Sequence, residues 1–400
     1  MMETMYDAIV IGARCGGAPT AMLLARKGYR VLLVDKAGFP SDALSTHFLR
    51  IWGLRRLHKW GLLDELKASN APPIQRWTID LGDFPLSGMT ALSNGLPSGF
   101  AARRTVLDEI LVNGAVKAGV ELRARFAVNE VLMNGHGVEG IRGRGKDGRI
   151  VTEKARMVIG ADGKHSIVAR TVKAPVYRER ASGSFQYYSY WSGLDVDGFE
   201  LYRRPRRLIL AYPTSDDRVI VVIGQPHEDF QEFRKDVEGN YLKSLECAPS
   251  FAERLRSARR EEGIYGTADL SGFFRKSSGP GWVLVGDAGH FKHPVLAFGM
   301  SEAFMQAESL AEALDQGFSG RRPLGEALAD FERRRDASAM QKFDISYNKA
   351  ELARDTATPE ELQHRAGLRG NQVETEKFLS KVAGTASNGE DDDCVSSLVG

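Results

Sequence analysis

The chain opens with a nearly unbroken apolar run, Tyr6 to Ile11, that ends on glycine, and a second run covers Arg30 to Val34. Between them, Gly16 to Arg26 carries Ala18, Ala21 and Ala25 at helical spacing, small enough to seat a helix closely on a sheet. Strands covered on both faces are apolar at every position, so this stretch predicts a strand, helix, strand unit of a parallel sheet. Helical periodicity returns over Trp52 to Leu66 and over Thr105 to Ala118, followed by strand-like residues from Val120 to Val131. Val138 to Arg142 and Arg149 to Val151 flank K-D-G as a hairpin, and Ala155 to Ala161 is a further buried strand.

From Phe185 to Pro226 the pattern changes to strand after strand, as in Y-Y-S-Y-W-S-G-L, R-L-I-L-A-Y-P and D-R-V-I-V-V-I-G. Gly281 to Gly286 returns to the buried-strand pattern and a long helix is predicted from Gly299 to Leu314. The expected fold is α/β: a Rossmann-like domain with a parallel sheet, an inserted antiparallel sheet that roofs a substrate, and a helical C-terminal region. The expected boundaries are 1–180 with 265–320 for the first domain, 181–264 for the inserted sheet, 321–383 for the helices, and 384–400 as a polar, disordered tail.

Composition narrows the partners. With 400 residues, 42% of them hydrophobic and 26% charged, the chain has the balance of a globular protein with room for a buried ligand. Its 54 basic and 52 acidic residues leave a net charge of +2, which argues against nucleic acid as the main partner and for small molecules. Cys15, Cys247 and Cys394 form neither a C-x-x-C pair nor a metal-ligand cluster, so no metal is expected. No signal peptide or membrane-length apolar run is visible, and the reading is a cytoplasmic protein without stable membrane insertion.

Three constellations carry chemistry. In I-V-I-G-A-R-C-G-G, Ile9 to Gly17, a strand runs into glycines at a helix start, and Asp35 ends the next strand 23 positions after Gly12. Helix-start N–H groups bind a diphosphate and such a carboxylate accepts ribose hydroxyls. Arg14 stands where G-x-G-x-x-G has its middle glycine; it either turns outward or supplies charge to the diphosphate. The others are V-I-G-A-D-G-K-H-S, Val158 to Ser166, and V-L-V-G-D-A-G-H-F-K-H-P-V-L-A-F-G-M-S, Val283 to Ser301.

Together and in this order, over about Tyr6 to Leu314, the three resemble the FAD-dependent aromatic hydroxylases of the p-hydroxybenzoate hydroxylase type. The resemblance implies that Gly12, Ala13, Arg14, Cys15, Gly16 and Gly17 surround the FAD diphosphate, with Asp35 on the adenosine ribose. It implies that Arg104, with Arg103 as a substitute, reaches the FAD, and that Asp162 and Gly163 serve FAD and the nicotinamide. Gly286 and Asp287 would hold the ribityl chain, Pro294 the reactive edge of the isoalloxazine, and Gly299, Met300 and Ser301 its pyrimidine carbonyl. Lys36, Thr46 and Val128 are assigned to the cofactor with them. A helix N-terminus suits that last place, because reduced flavin gathers negative charge on its pyrimidine ring.

The chain departs from the family in P-V-L-A-F-G, where P-x-x-G-x-G is usual, and in Ser301, where asparagine is usual. His47 and His293, and less so His290, fall near the expected flavin edge as acid/base candidates or as packing residues. Tyr188 and Tyr190 are substrate-cavity candidates on an alternating strand that also holds Tyr187 and Trp191. The run Arg203 to Arg207 is a solvated loop or an anion-attracting patch.

The implied activity is hydroxylation of a small aromatic or other electron-rich compound, with NADPH or NADH and O₂ as co-substrates, through a flavin C4a-hydroperoxide. Three alternatives stay open: a halogenase, against which the missing W-x-W-x-I-P segment counts, a prenyl-reductase-like enzyme, and a non-catalytic FAD-binding protein. The choice of nucleotide, the need for a separate reductase and a homodimer are left open.

Overall fold

In the computed structural model, residues 5–351 and 359–386 are described; the expected tail beyond 386, and Cys394 with it, lies outside the described residues. The apolar runs do form a parallel sheet. Five strands lie in the order Trp282–Leu284, Ile150–Gly160, Tyr6–Ile11, Val31–Asp35, Glu121–Ala124, all parallel to their neighbours. Ala8, Val10 and Leu33 are fully buried under Gly17–Arg26, Arg104–Lys117 and Gly299–Phe318. Removing Val10 or Leu33 from water stabilises the fold by roughly 1.5–3 kcal/mol, and the single methyl of Ala8 by about 0.8 kcal/mol, before the cost of ordering them.

Several predicted elements take a different form. The helix expected over Trp52 to Leu66 is two, Ile51–Trp60 and Leu63–Lys67, because Gly61 takes φ +75 and ends the first. The strand-like segments expected around Val120 to Val131 are two strands, Glu121–Ala124 and Ala127–Asn134, separated at Arg125, φ +56. The hairpin arm and the buried strand after it are one long strand, Ile150–Gly160. Its first half pairs antiparallel with Gly137–Arg144 and its second half parallel with Tyr6–Ile11.

The second sheet is built on Ser184–Ser192, Arg218–Pro226, Arg207–Thr214 and Phe199–Arg204, in that antiparallel order. It also takes in Arg76–Asp80 and Pro85–Met89, which sequence reading had put with the first domain: Phe199–Arg204 pairs with Arg76–Asp80 in parallel. One face packs on Phe48 and on Leu379 and Ala383 of the last helix, Gln372–Ala383; the other packs on Phe233, Tyr241 and Phe251. Among the described residues no helix is long and apolar enough to cross a membrane, and no group of metal-ligating side chains is present.

Candidate active site

Between the carboxyl ends of the parallel strands and the second sheet lies a cavity of about 770 Å³, within the size range of cofactor and ligand sites. The strand, turn, helix segments bring distant motifs onto it. Gly12, Arg14, Cys15 and Gly16 line it from the first turn, Asp35 and Lys36 from the end of the second strand, and Asp162 and Gly163 from the end of Ile150–Gly160. Gly286 and Asp287 follow the strand Trp282–Leu284, and Gly299 and Met300 start the long helix. Thr46, Arg104, Val128, His293, Pro294 and Tyr188 complete the expected set on the lining. Ala13, Gly17, Ser301, His47 and Tyr190 stand off it.

Backbone geometry explains the glycines. Gly12 holds φ +100, and a Cβ there would run into the Ala161 carbonyl; a Cβ on Gly17 would run into the Gly12 carbonyl. Glycine thus lets the turn close against the neighbouring strand end. The Ala13 N–H donates to Asp35 Oδ2 at 2.7 Å and the Ala37 N–H to Oδ1 at 2.8 Å, fixing the carboxylate at the cavity.

Arg14 neither turns outward nor stands free. Its Nη1 lies 2.6 Å from Asp108 Oδ2 and its Nη2 donates to Ser41 Oγ at 3.0 Å. Arg104 meets the other oxygen of Asp108, 2.8 Å from Nη2. Asp108, fully buried, was not singled out in the sequence, where it is an ordinary i, i+4 partner of Arg104. Cys15, with burial pushing its thiol up to about 12, is a packing residue.

Asp287 is exposed to the cavity on a wall crowded by protein; desolvation by that surrounding protein raises its carboxyl to about 6, against the pull of Arg104 and Lys292. Behind it the Gly286 N–H donates to Gln306 Oε1 at 2.9 Å, and Gln306 Nε2 contacts His290 Nδ1 at 3.1 Å. His290 Nε2 is 3.2 Å from Glu302, which also pairs with Lys292. Burial alone would push Glu302 up, yet Lys292 and His290 hold it down at about 2. This network is built from residues of the third motif and the helix after it. Gly286, Asp287 and His290 are legible in the sequence; Lys292, Glu302 and Gln306 are not, because their pairing crosses from loop to helix.

The histidines separate. His293 is buried, its Nδ1 accepting from the Val295 N–H at 3.2 Å and so capping the turn Pro294–Leu296, and its Nε2 meeting Ser184 Oγ of the second sheet at 3.1 Å. His47, at φ +61, stacks on Tyr190 and its Nε2 shares a hydrogen bond with the Tyr190 hydroxyl at 2.5 Å. Burial holds both imidazoles down at about 3, so both are neutral at ordinary pH. His47 and Tyr190 form a layer behind Thr46 and Tyr188. Arg103 lies over the Tyr190 ring at 4.5 Å and pairs with Asp42 and Glu262. Ser301 turns its hydroxyl away from the cavity, toward Gly53.

The FAD-binding domain family matches residues 5–346. The chain belongs to the FAD-binding domain family. Digeranylgeranylglycerophospholipid reductase of Methanocella arvoryzae is 25% identical over 316 residues, 76% of this chain and 75% of the relative. The fold is that of the myxobacterial chondrochloren halogenase CndH, with TM-score 0.78 at 24% identity over 96% of this chain and 91% of that one. It is also that of PqsL, a probable FAD-dependent monooxygenase from Pseudomonas aeruginosa, with TM-score 0.72 at 22% identity over 91% and 99%. The resemblance to the FAD-dependent aromatic hydroxylases agrees with this membership, and the protein is an FAD-dependent oxidoreductase. The residues fit FAD: the Gly12 turn has no room for a Cβ, and Asp162 Oδ1 is buried without a partner among the described residues. First-turn N–H groups at Gly299 and Met300 have no intrahelical acceptor and face the same cavity.

Proposed function

We propose that the protein is an NAD(P)H-dependent FAD monooxygenase that hydroxylates a small aromatic or similarly electron-rich compound. The observation that carries the reading is the continuity of one cavity from the Gly12 turn to Tyr188 on the second sheet, so that cofactor and substrate have room in one space. FAD bound there supplies the redox chemistry, taking a hydride from NAD(P)H and passing its electrons to O₂. The reaction balances as substrate, O₂, NAD(P)H and a proton giving the hydroxylated product, NAD(P)⁺ and water.

The chain's own residues bind, orient and exclude water. Asp35 takes the ribose hydroxyls, Arg104 and the helix start after Gly16 take the diphosphate, and Asp287 accepts from the ribityl hydroxyls. The positive end of Gly299–Phe318 stabilises charge on the pyrimidine side. His293 is a positioning residue: its Nδ1 caps the turn that carries Pro294, and its Nε2 ties that turn to Ser184 of the second sheet. Tyr188 faces the substrate, and the Tyr190 to His47 hydrogen bond fixes the aromatic layer behind it. Asp162 and Gly163 serve a transient nicotinamide visit, for which no second dinucleotide fingerprint is present in the sequence.

A second reading, favoured by the relative's name and by the likeness to CndH, is a same-fold reductase of prenyl double bonds or a halogenase. Incubation of the FAD-loaded protein with NADPH or NADH, ¹⁸O₂ and chloride over phenols and isoprenoids separates them by product mass. Incorporation of one ¹⁸O into a phenol supports the proposal; a halogenated product or a gain of two hydrogens transfers the assignment to the corresponding alternative.

A further inference from the structure

The charges around the cavity specify more than a flavin. Five of the basic side chains on its lining are already engaged. Arg14 and Arg104 share Asp108. Lys164 Nζ meets Asp269 Oδ1 at 2.5 Å and the Asp269 carbonyl at 2.8 Å, and Lys292 pairs with Glu302. Arg170 donates to the His165 carbonyl, and Lys36 stands at the opposite end beside Asp35.

The sheet side of the cavity presents the neutral side chains Gln186, Tyr188, Thr267 and Leu270, and the charged residue there, Asp269, is paired with Lys164. Arg218 of the sheet and Arg103, before the helix Arg104–Lys117, are off the lining and converge on Glu262, each at 2.5 Å. Leu44 and Tyr265 are solvent-exposed large apolar side chains; Leu44 lines the cavity and Tyr265 packs against the Tyr188 ring, with centroids 5.8 Å apart. An anionic substrate entering here would exchange water for neutral walls, and the carboxylates of Asp269, Asp287 and Glu302 line the same space. Burying a carboxylate without a cation is strongly unfavourable, whereas a phenol hydroxyl is satisfied by an amide or another hydroxyl.

We propose that the substrate is an uncharged aromatic, a phenol that carries no carboxylate, phosphate or sulfonate, recognised by Gln186, Tyr188 and Thr267. This rests on the hydroxylase reading for the identity of the site and goes beyond it in naming the charge class.

The test is isothermal titration of the FAD-loaded protein at pH 7.5, without nucleotide, with a panel of phenols each supplied as the amide and as its carboxylate twin. The neutral member is expected to bind at least about tenfold more tightly in the pairs that bind. Equal or tighter binding of the carboxylates overturns the inference, and so does failure of every neutral member to bind. Gln186→Arg, which puts a guanidinium on the neutral wall, is expected to narrow the gap; an unchanged gap in a folded variant overturns the assignment of that wall. If the variant does not fold, the wild-type pairs still decide. Because binding is read without turnover, a neutral preference with no hydroxylated product sinks the hydroxylase reading alone, while hydroxylation of a carboxylate sinks only the charge inference.

Discussion

Asp108→Ala removes a buried carboxylate that two guanidiniums share, Arg14 at 2.6 Å and Arg104 at 2.8 Å. Losing one member of a buried pair leaves uncompensated charge and costs about 3–5 kcal/mol. Arg14, a quarter exposed, recovers part of its solvation, which puts the apoprotein at the lower end of that range. With roughly 2.1 cal/mol/K of unfolding entropy per residue over 400 residues, the apoprotein melting temperature falls by about 4 °C. On the proposed cofactor assignment FAD changes the arithmetic, because its diphosphate would bring two negative charges to the same arginines. The FAD-loaded variant is therefore expected to lose less than the apoprotein, and Asp108→Asn, which keeps a hydrogen-bond acceptor, falls between. Differential scanning calorimetry of apo and loaded protein reads this directly. A loss below about 1 °C in both forms, or a larger loss in the loaded form, would refute the coupling of Asp108 to the diphosphate site.

Other expectations follow from single groups. Gly12→Ala forces a side chain into φ +100 against the Ala161 carbonyl, costing roughly 1–3 kcal/mol; the purified variant is expected to carry little FAD by its absorbance. Asp287 has a folded pKa raised to about 6 by burial, so the stability due to its protonated form is present at low pH and is lost as pH rises toward 6. Asp287→Asn is expected to flatten that slope in apoprotein melts and to weaken FAD retention at pH 7.5. His293 is held neutral at about 3, so its contribution is present above about 6.5 and is lost as pH falls toward 3. His293→Asn is expected to lessen acid destabilisation in a pH series of urea melts, and an unchanged series would contradict the buried-neutral assignment.

The parts legible in the sequence were those whose signal is local. An all-apolar strand followed by a glycine turn reads the same wherever it occurs, and the motifs at Gly12, Asp162 and Asp287 do end on one cavity because parallel strands present their carboxyl ends together. Non-local pairings were invisible. Arg76–Asp80 has no mark that it will pair in parallel with Phe199–Arg204. Asp108 reads as a helical surface charge until Arg14 arrives from 94 residues away. Glu302 and Lys292 become a buried pair only when the loop folds back on the helix start. His293 was legible as a residue of the third motif, which reaches the cavity, but its pairing was not, since Ser184, which occupies one of its nitrogens, comes from the other sheet.

The central claim is that one cavity holds FAD and a neutral phenol for oxygen transfer. Its most direct test is rapid anaerobic mixing of the FAD-loaded protein with NADPH or NADH, with and without the phenol panel, followed by air. The account predicts that a neutral phenol accelerates bleaching of the flavin absorbance and that air then yields the hydroxylated phenol. Flavin that keeps its absorbance with either nucleotide, with every phenol present, would contradict it.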